Sequence, residues 1–170
     1  MRKETKNITL SALLSSLIVV LIVLGTFVEL LDITVAAICS LIVFVIKIEC
    51  GGKYPFLVFL TSSVLALIFV PMSTATLYFI GFFGYYPILK FVFKKMPKAL
   101  RKIICVLIFN ISMCILMFCF KTIFALQNEP WQIYVALLVT SNIFFICFDY
   151  LLDVFIFIYI KKIRPKFKKH

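Results

Sequence analysis

Six apolar runs, each bounded by charges, prolines or small polar residues, organise this chain: 8–28, 33–46, 54–70, 74–93, 103–120 and 131–160. Within each run the apolar residues follow one another instead of alternating, which predicts helices rather than the strands of a barrel. A bilayer's hydrocarbon core is about 30 Å thick and takes a helix of roughly 20 apolar residues. The second run is short and borrows Lys47 and Ile48, the lysine stem reaching outward along apolar surface. The sixth is longer than a bilayer requires, so it must tilt, bend or project beyond the lipid. The predicted fold class is all-α: a polytopic integral membrane protein forming one compact bundle of six transmembrane helices, ending in a short basic tail at 161–170.

Composition supports that class. Of the 170 residues 64% are hydrophobic, against about half in a soluble domain. Charge then orients the runs. Arg2, Lys3 and Lys6 precede the first; Lys47 and Lys53 lie between the second and third. Lys90, Lys94, Lys95, Lys98, Arg101 and Lys102 lie between the fourth and fifth, and the tail carries Lys161, Lys162, Arg164, Lys166, Lys168 and Lys169. In a six-span arrangement all of these fall on one side, and only Lys121 falls on the other. The positive-inside rule makes that side cytoplasmic and places both termini there, in a multi-pass protein of the cell membrane. The net charge of +11 therefore reads as topology and as contact with anionic lipid at the cytoplasmic rim. No nucleic-acid partner is expected, because no connection is long enough to form a folded basic module.

Punctuation and missing residue types narrow the chemistry. Pro55 opens the third run, Pro71 closes it, and Pro130 precedes the sixth. Asp32 and Thr74 are expected to cap the second and fourth helices. The "GGKY" at 51–54 resembles the end of a phosphate loop, but Lys47 stands where the first glycine belongs and Tyr54 replaces Ser or Thr. Gly51 and Gly52 read instead as the turn after the second helix. The six cysteines form no C-x-x-C pair and suit small buried positions. The sole histidine is His170, so a histidine metal site and a His-dependent triad are both excluded. No enzyme activity, metal or cofactor is expected. The first run lacks an A-x-A end and is expected to be a retained span.

Four constellations remain as candidate functional residues. In "GFFGYYPILK" (81–90), Pro87 lies inside the fourth run, where its ring opposes the Phe83 carbonyl. Gly81 and Gly84 ease a bend and close helix contact, so Gly81, Gly84 and Pro87 read either as tight packing or as a gating hinge. Tyr85 and Tyr86 are expected to keep wet phenols at the cytoplasmic interface. Asp149 and Asp153, one turn apart in the sixth run, share a face; they suit ion pairing with a lysine such as Lys90 or Lys94, or coupling to a cation or proton. Glu29, Asp32, Tyr78, Trp131, Gln132 and Asn142 gather towards the outer side as candidate ligand-binding residues, with aromatic-belt and capping roles as the alternative. Asn110 is expected to hydrogen-bond between helices. Finally, "TLSALLSSLIVV" repeats small residues every four positions in two parallel stripes, Ser11 with Ser15 and Ala12 with Ser16. Either stripe lets another helix approach closely, inside this protein or in a partner.

The basic start and "TKNITLSALLSSLIVVLIVLG" resemble the first helix of substrate-binding S components of energy-coupling-factor (ECF) transporters, small six-helix bacterial proteins with cytoplasmic termini. In that family an alanine-x-x-x-alanine stripe docks a transmembrane coupling subunit. Ala12 and Ser16 match its spacing, with serine replacing the second alanine. The resemblance implies capture of a vitamin or related nutrient from outside, and toppling of the subunit driven by two ATPases on the coupling subunit. The first and third outer connections are shorter than the gating lids of many members, and the histidine-containing N-terminal site of nickel and cobalt versions is absent. Size and topology also resemble MreD-like membrane assembly proteins, which recruit partners without a ligand pocket. A small independent transporter is a third reading, although no inverted repeat is visible.

Overall fold

A computed structural model of the chain describes residues 2–28, 31–71, 73–93, 96–123 and 131–163. Every regular element among them is helical: α1 (Arg2–Gly25), α2 (Asp32–Glu49), α3 (Tyr54–Phe69), α4 (Thr74–Tyr78), a π-helical turn (Phe79–Phe83), α5 (Tyr86–Val92), α6 (Lys98–Ile123), α7 (Trp131–Ile158) and a second π-helical turn (Tyr159–Ile163). Four stretches are long and apolar enough to cross a membrane: Glu4–Gly25, Thr74–Val92, Ala99–Cys119 and Val135–Lys162. Tyr54–Phe69 is a shorter apolar helix. The helix covering the second run carries Asp32, Lys47 and Glu49 within its 18 residues. The contacts divide the chain into two compact units, Met1–Gln127 and Asn128–His170.

In the first unit α2 is the central helix, packing against α1, α3, α4, the π-helical turn and α5. Its buried face is small over Ala36, Cys39, Ser40 and Val43, spaced one or three residues apart, and ends on the larger Phe44 and Ile46. Small side chains let backbones close in where lipid offers no hydrophobic incentive to associate. The Cys39 thiol accordingly reaches the Ile18 carbonyl of α1 at 3.8 Å. The α1–α3 seam follows the same logic. Ser15 Oγ lies 3.2 Å from Thr61 Oγ1, and Ser62 Oγ donates to the Ser15 carbonyl at 3.5 Å. Since the Thr61 hydroxyl donates to the Leu57 carbonyl of its own helix (2.9 Å), Ser15 is the donor in the hydroxyl pair.

Helix ends match the sequence reading in part. Gly51 and Gly52 turn the chain after α2 with φ of 63° and 50°, a left-handed conformation that a Cβ disfavours. Pro55 sits in the first turn of α3, where its missing N–H costs nothing. The two expected caps differ. Leu31 precedes α2 and Asp32 lies in its first turn, and Ser73 precedes α4 with Thr74 inside it. In both cases the helix starts one residue early, so the acidic group of Asp32 meets the positive end of the helix dipole instead of capping it.

The fourth run is not one kinked α-helix. Its N-terminal part is α4, which widens into the π-helical turn, where Gly84 N–H donates to the Phe79 carbonyl at 2.7 Å. A Gly84–Tyr85 turn follows, and Pro87 lies in the first turn of α5. The proline thus opens a new helix rather than bending an old one. Its ring takes up a position where no intrahelical N–H is needed.

Candidate functional site

Two polar sites emerge in the first unit, one at each end of α4 and its π-helical turn. The first is at the start of α2. Here α2 runs parallel to α4 and α5, a register pinned by the Phe44 and Phe91 rings, 5.3 Å apart. Counting back from that pair along each helix reaches Asp32 on α2 and Tyr78 on α4. Asp32 is 7% exposed, and the Tyr78 phenol, itself largely withdrawn from solvent, lies within reach of its charge. Buried Ser73 and Thr76 flank the same end of α4, and Thr76 donates to the Val70 carbonyl at 3.2 Å. A buried carboxylate beside a phenol, at the mouths of two parallel helices, can orient a small polar ligand by charge and hydrogen bonding.

Of the other candidate ligand-binding residues, Glu29 lies outside the described residues, as does the side chain of Trp131. Gln132 is exposed, near the start of α7. The Asn142 amide donates to the Leu138 carbonyl of its own helix at 2.8 Å. These α7 residues belong to the second unit and are described there alone. Within that unit Asp149 and Asp153 lie one turn apart on α7, and Lys161 stands 4.3 Å over the Phe157 ring. Asn110, expected to bond between helices, donates to the Val106 carbonyl one turn back at 2.9 Å, the local bond open to any helical asparagine.

The second site is the break itself. Gly81 and Gly84 are close-approach positions. A Cβ at Gly81 would lie 2.8 Å from the Leu116 side chain of α6, and one at Gly84 would lie 2.5 Å from the Phe59 ring of α3. Tyr85 Oη donates to the Gly81 carbonyl at 2.7 Å and lies 2.6 Å from Ser112 Oγ of α6. With its one proton on the carbonyl, the phenol accepts from Ser112. Neither tyrosine is therefore the wet interfacial phenol the sequence suggested. Tyr86 is buried, its ring centroid 4.8 Å from that of Phe82.

Two features of this region escaped sequence reasoning. Lys90, counted there with the cytoplasmic rim, is only 6% exposed on α5. Ser112 is one small polar residue within the apolar fifth run, and nothing in its spacing marks it. The N–H that Pro87 lacks concerns the Phe83 carbonyl, whereas Tyr85 donates to Gly81, so the proline by itself does not mark this bond.

The two stripes on α1 face different ways. Ser11 and Ser15 are buried, Ser15 against Thr61 of α3. Ala12 and Ser16 are exposed, and the Ser16 hydroxyl turns back to the Leu13 carbonyl at 2.8 Å. No family model matches this chain, and comparison with curated proteins and with solved structures likewise returns no match.

Proposed function

We propose that this chain is the substrate-binding subunit of an ECF-type transporter, six spans in a bacterial cell membrane with both termini cytoplasmic, taking up a vitamin-like nutrient. The observation that carries the reading is the division of labour on α1. Ser15 is engaged by α3 and Ser11 is buried, while the Ala12–Ser16 stripe faces outward among exposed Leu13, Leu17 and Val20. An outward strip of small residues in an apolar face is what close approach by a partner's helix requires. The segregation of every Lys and Arg except Lys121 to one side supports the topology. Asp32 and Tyr78 stand on the opposite side, where a ligand arriving from outside would meet them.

Gentle purification with mass spectrometry of everything retained tests this reading. A coupling subunit and ATPases should copurify together with a small molecule. Ala12→Leu and Ser16→Leu should each cut capture of the coupling subunit by about tenfold, by holding the helices apart, with the fold intact. Retention of envelope-assembly proteins and no small molecule would favour the MreD-like reading instead.

A further inference from the structure

α6 meets the rest of its unit chiefly at the π-helical turn. The face it brings there is Cys105, Phe109, Ser112 and Leu116, spaced three or four residues apart and buried. Phe109 stands edge-on to Phe82 with centroids 4.8 Å apart, Leu116 lies over Gly81, and Ser112 bonds Tyr85. The hydroxyl pair is a directional polar tie in a contact otherwise described by van der Waals packing, which in lipid helps hold helices together but fixes their register less sharply than a hydrogen bond.

A π-helical turn is an α-helix holding one surplus residue. If Gly84 N–H moved from the Phe79 carbonyl to that of Ile80, the turn would become α-helical. The surplus residue would pass into the adjoining Gly84–Tyr85 turn, where glycine tolerates the change. One residue corresponds to a rotation of about 100°. That rotation carries Tyr85 away from the Gly81 carbonyl and from Ser112. It also brings Ile80 or Phe82 to the place where Leu116 leaves room only for glycine. The register of the turn and the position of α6 are thus mechanically linked.

We infer that the π-helical turn at Phe79–Phe83 is a one-residue register switch, and that the Tyr85–Ser112 hydrogen bond is the latch holding it, with α6 docked, in the setting seen here. The switch joins α4, which carries Tyr78, to α5, which carries Lys90. It requires no particular ligand and stands independently of the transporter reading.

Hydrogen–deuterium exchange of the full-length protein in lipid nanodiscs tests it. Tyr85→Phe and Ser112→Ala should each accelerate exchange in peptides 79–86 and 105–116 together, by about fivefold for one lost hydrogen bond. Exchange in 2–25 and 32–49 should not change, and Ser112→Thr, which keeps the hydroxyl, should behave as wild type. Unchanged exchange in both variants would overturn the latch. Acceleration confined to 79–86 would overturn the link to α6, and equal acceleration across all helices would reduce the bond to general stability. Should Tyr85→Phe fail to fold, the Ser112→Ala and Ser112→Thr pair decides the same question.

Discussion

Alanine at position 82 is expected to lower stability in detergent or lipid by about 2–3 kcal/mol, less than the 3–5 kcal/mol of a comparable change in a water-soluble core. Phe82 is completely buried, and its ring lies 4.8 Å from Tyr86, 4.8 Å from Phe109, 5.6 Å from Phe83 and 6.0 Å from Tyr85, centroid to centroid. In water, deleting such a ring forfeits both its transfer out of solvent and its packing. In a membrane the separated helices already sit in hydrocarbon, so the transfer part disappears and the packing part remains. Aromatic pairs are worth about 0.5–1.5 kcal/mol each beyond area, and several such pairs are lost together. A steric-trap or thermal unfolding measurement reads the loss, and Phe82→Leu should recover about half of it because most of the volume returns.

Gly84→Ala should cost about 2 kcal/mol by the opposite route, overpacking. The added methyl would sit 2.5 Å from the Phe59 ring and 2.9 Å from the Phe79 carbonyl oxygen. The ring could swing aside, since Phe59 is only partly buried. The carbonyl could not, because it accepts the Gly84 N–H that closes the π-helical turn. Backbone there must move or the hydrogen bond must break. The control is Gly52→Ala, where nothing lies within 4 Å of an added Cβ and the only penalty is the positive φ, about 1 kcal/mol. Thermal unfolding in one detergent should rank Gly84→Ala well below Gly52→Ala. Equal midpoints would mean that the α3 contact at Gly84 is looser than the structure has it.

The helical character of the chain was legible because continuous apolar runs leave no other economical reading, and Gly51–Gly52 and Pro55 acted where local backbone chemistry alone decides. The fourth run was misread for a specific reason. Sequence marks that Pro87 leaves the Phe83 carbonyl without its α-helical donor, but what holds Gly81 and Gly84 in place is the close approach of Leu116 and Phe59 from α6 and α3, far along the chain. Spacing likewise made the two small-residue stripes of α1 equivalent. Only the direction from which Thr61 approaches separates Ser15 from Ser16. Asp32 and Tyr78 come near one another because α2 packs against α4 and the π-helical turn, contacts that spacing along the chain does not spell out. Asn142 lies in the second unit, where its amide donates to the Leu138 carbonyl. Lys90 was hidden by its company: a lysine followed closely by Lys94, Lys95, Lys98, Arg101 and Lys102 reads as rim, whatever covers it.

The unequal helices of the first unit bear on the membrane around them. At about 1.5 Å per residue, the 16 residues of α3 reach only about 24 Å, short of a 30 Å hydrocarbon layer, while the 24 residues of its neighbour α1 reach about 36 Å. In the six-span arrangement, lipid beside α3 must therefore pinch inward while lipid beside α1 need not. Thin, fluid bilayers accommodate that dip at little cost, and thick, ordered ones resist it. In that arrangement the protein would carry its own preference for where in a heterogeneous membrane it settles.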